Sequence, residues 1–196
     1  EIRKPLIEEM KRTIKEFYGD NPLESKDLGK IINIFHFNRL IKLLETAKER
    51  NQILHGGQVD SNKRIIEPTI IEVPNMKDPL MSQEIFGPLF PVLSVPNLDG
   101  AINEIQRQPR PLALYMFGGT QDEQELLIKK TSSGSVCFND VVLQAGIPEL
   151  PFGGIGSSGM GKYHGKAGFD NFTHYKSILK RPFWMDLNFR YPPYRM

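Results

Sequence analysis

The feature that most constrains the fold is an alternation of apolar runs with amphipathic segments over residues 90–143. Three runs of strand length are separated by two segments with helical period, in the order 88–95, 98–106, 112–117, 121–132 and 134–143. Strands that alternate with helices pair in parallel, and the helices cover the sheet. The order therefore predicts an α/β fold with a mostly parallel sheet flanked by helices.

The flanking sequence adds further elements on both sides of this region. Residues 2–17 and part of 28–48 carry apolar residues at helical spacing, so we expect two amphipathic helices there. Residues 64–74 are typical of extended chain broken by Pro68. The Gly-rich stretch at 146–168 predicts irregular structure, and 172–180 predicts a late strand.

Composition excludes several classes of protein. One Cys rules out a disulfide scaffold and fits a reducing compartment, so we expect the cytoplasm. The four His residues have no metal-ligand spacing, so no metal site is expected. A net charge of +2 is no argument for nucleic acid, and no apolar run approaches the roughly 18 residues of a membrane helix. Cys137 lies mid-strand, where we expect a buried small hydrophobe rather than a nucleophile.

The glycine-rich stretch contains two nucleotide-binding patterns that lack their structural context. Residues 154–159 match a three-glycine dinucleotide pattern, and 156–162 have the spacing of a phosphate loop. Pro148 and Pro151 separate both from the preceding strand, no helical pattern follows, and Tyr163 stands where a phosphate loop needs Ser or Thr. We therefore favour a tight turn in which backbones pack closely, and keep a phosphate-loop protein as an alternative.

The five residues from Glu84 to Pro88 carry the most chemistry. Glu84 and Phe86 lie at the mouth of the 88–95 strand, beside a turn at Gly87. A carboxylate can accept hydrogen bonds from a ribose diol, and an aromatic ring can lie against a planar heterocycle. From the spacing alone we favour a solvated Glu and a core Phe. Of the four histidines, His164 in the glycine segment is the one most expected to face a site.

Several motifs in sequence order resemble one enzyme family. Residues 83–88 resemble the glutamate–phenylalanine signature of the aldehyde dehydrogenase superfamily, and 151–154 resemble its late Pro-Phe-Gly-Gly signature. Further segments resemble its class 3 branch, which acts on fatty and aromatic aldehydes: 111–115, 132–134, 139–140, 160–166, 172–174 and 190–193. The resemblance runs from about residue 10 to the C-terminus.

The resemblance implies a division of the chain. Residues 1–172 would belong to the catalytic domain of the aldehyde dehydrogenase fold, and 173–196 would form an oligomerisation strand and tail. The family's nucleophilic Cys, in a Gly-Gln-x-Cys motif, and its general-base Glu lie upstream of residues that match here. We therefore expect Glu1 to be a break within a longer enzyme and the isolated chain to be inactive. The alternative is a truncated oligomerisation module without catalysis.

The resemblance also implies roles for individual residues. The family oxidises an aldehyde through a cysteine thiohemiacetal and passes a hydride to NAD or NADP. Glu84 would bind the nicotinamide ribose and Phe86 would pack near its ring, while His36 and Arg39 would approach the adenine ribose. The aldehyde funnel would be lined by Phe152, with Gln144, Ile147 and His164 at its rim.

The C-terminal segment is expected to bind a second copy of the chain. By resemblance, residues 173–180 would pair with the sheet of a partner subunit and give a homodimer. The tail is aromatic and basic, but its apolar residues have no helical period, so we expect it to pack on that partner rather than on a membrane.

Overall fold

A computed structural model describes residues 2–194, in two compact units divided between Glu104 and Ile105. Glu1, where we expect a break, lies outside the described residues, and the predicted 173–196 segment is described only as far as Tyr194. No helix among residues 2–194 is long and apolar enough to cross a bilayer.

Two long helices lead the first unit, as the periodicity predicts. They are α1 (Arg3–Tyr18) and α2 (Ile34–Glu49), the second starting later than its apolar pattern does. Asn33 sets that start, because its side chain accepts a hydrogen bond from the His36 backbone N–H. One face of α2 is buried through residues spaced three and four apart: Phe37, Leu40, Leu43, Leu44 and Ala47.

The first unit packs α2 against a three-stranded sheet. The strands are β1 (Ile53–His55), β4 (Thr69–Val73) and β5 (Leu89–Leu93), with β4 in the centre; a separate hairpin joins β2 (Val59–Asp60) and β3 (Ile65–Ile66). β5 runs parallel to β4 and β1 runs antiparallel to it. The strand β4 is almost wholly buried, and with α2 it forms the core of this unit.

The second unit contains the next parallel pair. β6 (Ala113–Met116) pairs with β7 (Ser135–Phe138), and α4 (Gln121–Lys130) connects them. A capping box begins α4, because the Thr120 and Glu123 side chains each bond to the other's backbone N–H. The predicted alternation of strands and helices is confirmed, with α3 (Leu98–Gln106) at its expected place. The three strands do not share one sheet, since β5 pairs with β4 and β6 with β7.

Three expectations differ from the structure. The strand predicted over 134–143 ends at Phe138, because Asn139 turns into the left-handed region with φ 57°. The glycine stretch was expected to contain no helix, but α5 (Gly165–Asn171) forms there, supported by a Lys166–Asp170 ion pair one turn apart. No strand forms over 173–180, where the chain is exposed and pairs with no edge among the described residues. A strand needs a neighbour to satisfy its backbone groups, so pairing with a partner stays a prediction.

Candidate functional site

The turn at residues 84–87 presents two side chains to solvent. Glu84 is exposed, and the Phe86 ring is 75% exposed, so Phe86 is not a core residue. Phe86 has φ 48°, a conformation that a bulky residue rarely adopts. Gly87 follows directly against α2, where an added Cβ would lie 2.5 Å from Leu40 Cδ1. The close approach of Gly87 to α2 therefore fixes the turn and directs Phe86 outward.

Arg39 on α2 holds the same turn from the other side. Its guanidinium donates to the backbone carbonyl of Ile85 and, at 3.5 Å, to that of Glu84. These charge-assisted bonds use the backbone and leave the Glu84 carboxylate available. The structure thus brings Arg39 to the turn of Glu84 and Phe86, whereas the resemblance assigned Arg39 to the adenine ribose and the other two to the nicotinamide; these cofactor roles stay predictions.

His36 lies one helical turn before Arg39 on α2. Its ring meets Phe35 edge-on, with centroids 5.3 Å apart, and its Nδ1 is buried without a hydrogen-bond partner within residues 2–194. Its approach to an adenine ribose stays a prediction.

In the second unit, three aromatic rings form a cluster beside the glycine stretch. Phe152 and Tyr163 exchange two backbone hydrogen bonds of 3.0 and 2.9 Å as an isolated antiparallel bridge. His164 stacks on Phe152 with ring centroids 5.9 Å apart and meets Tyr163 at 4.3 Å. Phe152 and His164, which the family resemblance assigned to an aldehyde funnel, are therefore in contact, and their role there stays a prediction.

The glycines of this region allow backbones to touch, as the sequence predicts. A Cβ at Gly134 would lie 2.3 Å from the Gly153 carbonyl oxygen, and one at Gly154 would lie 2.1 Å from that of Ser158. Lys162, the lysine of the apparent phosphate loop, donates to the Gly134 carbonyl at 3.0 Å. The glycines therefore allow the 151–163 turn to pack directly against the start of β7, and the lysine hydrogen bond stabilises that packing.

Gln144 and Ile147 lie on the segment between β7 and the aromatic cluster. Ile147 is half-buried, whereas Gln144 is only 8% exposed within a 3-10 turn (Leu143–Gly146). The Gln144 amide donates at 3.3 Å to both Tyr115 Oη and Ser135 Oγ. Sequence reasoning missed Tyr115 and Ser135, because a strand pattern tells which residues alternate but not which polar groups meet across it.

Cys137 stands in the middle of β7, opposite Tyr115, as a free and partly buried thiol. Its mid-strand position is confirmed, although its burial is less complete than expected. Among the described residues, no three His, Cys, Asp or Glu side chains converge as metal ligands do.

A cluster of charged and polar side chains in the second unit joins the start of the 173–180 segment to α5. The Lys166 ammonium, followed by the Tyr175 hydroxyl, lowers the pKa of Asp170 by stabilising its carboxylate. The hydrogen bond between the Tyr175 hydroxyl and the Asp170 carboxylate also raises the pKa of Tyr175. Asp170 thus fixes Tyr175 to α5.

Comparison with known proteins places this architecture in one family. The model of the aldehyde dehydrogenase family matches residues 1–178. Aldehyde dehydrogenase family 3 member F1 of Arabidopsis thaliana is 44% identical over 189 residues, which cover 96% of this chain and 39% of that protein. The dimeric NADP-preferring aldehyde dehydrogenase of Mus musculus is 42% identical over 194 residues, covering 98% of this chain and 42% of that protein.

A solved structure agrees with the sequence matches. The substrate-bound state of Staphylococcus aureus AldH is similar with a TM-score of 0.85 and 40% identity, over 98% of this chain and 42% of its own length. The chain belongs to the aldehyde dehydrogenase family and resembles the members named family 3. It spans about two fifths of the length of these relatives.

Proposed function

We propose that the protein to which this chain belongs is an NAD- or NADP-dependent aldehyde dehydrogenase that oxidises medium- or long-chain aliphatic or aromatic aldehydes to carboxylic acids. The observation that carries the proposal is the match to the aldehyde dehydrogenase family over residues 1–178, which includes the exposed turn of Glu84 and Phe86 that Arg39 holds. The proposed compartment is the cytoplasm.

The residues of the 84–87 turn fit a dinucleotide. Glu84 is an exposed acceptor that can take two hydrogen bonds from a ribose diol, and Phe86 is an exposed ring that can lie against the nicotinamide. NAD(P)⁺, when bound, supplies the acceptor for the hydride that the aldehyde carbon loses. The role of Glu84 is to hold the ribose while Arg39 keeps the turn in place.

The aromatic cluster of the second unit supports an apolar substrate. Phe152 and His164 stack, and Ile147 lies on the segment that leads into Phe152. We assign these residues to the wall of the aldehyde funnel, with Gln144 behind the wall. The nucleophilic Cys and the general-base Glu of the family have no counterpart motif in these 196 residues, so we expect the chain alone to be inactive.

The exposed C-terminal segment supports a homodimer. Ile178, Leu179 and Phe183 are 73%, 89% and 100% exposed, in a stretch without secondary structure. Apolar side chains at this exposure are stabilised by burial on another surface. We assign residues 173–180 to a strand that pairs with the partner's sheet.

The experiment is an assay of the complete protein with a panel of aldehydes and with NAD or NADP. The proposal predicts reduced cofactor and carboxylic acid in equal amounts, with better kcat/KM for hexanal and benzaldehyde than for acetaldehyde. Absence of turnover with every aldehyde and both cofactors, in a folded protein, would contradict it. A dimer without turnover would favour the alternative of an inactive oligomerisation module.

A further inference from the structure

The segment after β7, residues 139–147, contains an unusual backbone and a buried amide. We call it the latch loop. Asn139 and Val142 have φ of 57° and 64°, in the left-handed region. For a β-branched residue such as Val142 this conformation is a genuine outlier, and it persists only where neighbouring groups hold it.

The strain at Val142 is local and specific. The Leu143 N–H donates to the Val141 carbonyl at 2.7 Å, which closes a three-residue turn around Val142. The Ala145 N–H then donates to the Val142 carbonyl at 2.8 Å and begins the 3-10 turn. The side chains of Val141, Val142 and Leu143 remain largely exposed, so apolar packing does not hold the turn.

The Gln144 amide supplies the restraint that packing does not. Both of its N–H groups are used, one on Tyr115 Oη of β6 and one on Ser135 Oγ of β7, each at 3.3 Å. Tyr115 Oη also accepts the Val142 N–H at 3.4 Å. One phenol oxygen therefore receives a side-chain bond and a backbone bond from the same loop.

The carbonyl oxygen of the same amide makes no such bond within residues 2–194. Gln144 Oε1 is buried without a hydrogen-bond partner among the described residues. Burying an acceptor unpaired is unfavourable, so the site tolerates it only because the two donated bonds offset that cost.

We propose that Gln144 is a positioning residue that latches the loop onto β6 and β7 through Tyr115 and Ser135. Gln144 touches no reacting atom; it acts by fixing the path of the chain from β7 to Ile147 and on to Phe152. For catalysis the inference rests on the proposed function, because these last two residues are the ones assigned to the aldehyde funnel.

The first test is hydrogen exchange of the latch loop in the complete protein. Gln144→Met keeps the volume and removes both donors, so amide exchange at 142–145 should rise about 25-fold, since one net hydrogen bond is worth roughly a fivefold change. Tyr115→Phe keeps the ring and removes the acceptor of both the Gln144 amide and the Val142 N–H, so it should also raise exchange about 25-fold. Gln121→Met on the exposed first turn of α4 is the matched control and should change nothing at the latch loop.

A double variant separates a latch from two unrelated contacts. The Gln144–Tyr115 bond is lost in both single variants, so the double variant should exchange about fivefold more slowly than the product of the two single effects. Multiplying effects would overturn the inference, as would exchange within twofold of wild type in Gln144→Met.

The second readout is kinetic. In the complete protein, Gln144→Met should raise KM for hexanal about fivefold and change kcat less than twofold. Faster exchange with an unchanged KM would overturn the role in substrate positioning. If the unmodified complete protein oxidised no aldehyde, the proposed function would fail, and the exchange data would still decide whether Gln144 is a latch.

Discussion

Gly87→Ala tests whether contact with α2 fixes the turn that carries Glu84 and Phe86. The new Cβ would lie 2.5, 2.9 and 3.3 Å from Leu40 Cδ1, Cδ2 and Cγ. Carbon atoms pack at about 3.5–4.0 Å, so the turn and α2 must separate by about 1 Å. Leu40 is fully buried and cannot swing into solvent.

The expected cost follows from that overlap. Overpacking a tight core costs about 1–3 kcal/mol, and for a chain of this size each kcal/mol lowers Tm by roughly 2–4 °C. We therefore expect Gly87→Ala to lower Tm by about 2–12 °C. The measurement is thermal unfolding followed by circular dichroism.

Two comparisons make the result decisive. Gly29→Ala, in the same unit, adds a Cβ with no atom within 4 Å and should leave Tm unchanged or slightly raised. Leu40→Ala removes the three clashing carbons, so in that background the added cost of Gly87→Ala should fall below about 0.5 kcal/mol. The reasoning is refuted if Gly87→Ala behaves like Gly29→Ala, or if its cost is the same with Leu40 removed.

The remaining predictions concern the site, a helix cap and the C-terminal arm. Arg39→Met should raise the cofactor KM about tenfold with a smaller change in kcat, because charged hydrogen bonds are worth about 1.5–3 kcal/mol; steady-state kinetics that show no rise would contradict the positioning role. Thr120→Ala should destabilise by about 1 kcal/mol through loss of the α4 capping box, measured by urea unfolding against the exposed Ser61→Ala as control. Because the pKa of Asp170 is lowered, its hydrogen bond with Tyr175 is fully formed above the ordinary Asp range and is lost as pH falls through the lowered pKa. Proteolysis near residues 172–175 should therefore increase only below about pH 4. In Asp170→Asn, proteolysis should be fast at every pH.

Elements with strong periodicity could be predicted from the sequence, and those shaped by backbone contact could not. The apolar spacing on α2 and the apolar runs of β5 and β6 predicted each element within a few residues. The end of β7 was missed because it depends on the left-handed Asn139, and α5 was missed because Gly165 and Gly168 weaken its helical pattern.

The candidate site divides in the same way. The cofactor roles of Glu84 and Phe86 were predicted from residue types and from the family resemblance, and they stay predictions. Only the structure shows that Arg39 donates hydrogen bonds to the backbone of their turn rather than to their side chains. The contacts of Gln144 with Tyr115 and Ser135 also needed it, since they join residues 29 and 9 positions apart.

The most direct test of the central claim is the hydride-transfer rate of Glu84→Gln in the complete protein, followed by stopped-flow absorbance of the reduced cofactor in a single turnover. If Glu84 holds the nicotinamide ribose, the rate should fall about tenfold or more while Tm changes little, because the exposed carboxylate contributes little to folding. Glu24→Gln, an exposed control far from the turn in sequence, should transfer hydride at the wild-type rate. A Glu84→Gln protein with an unchanged transfer rate would contradict the account.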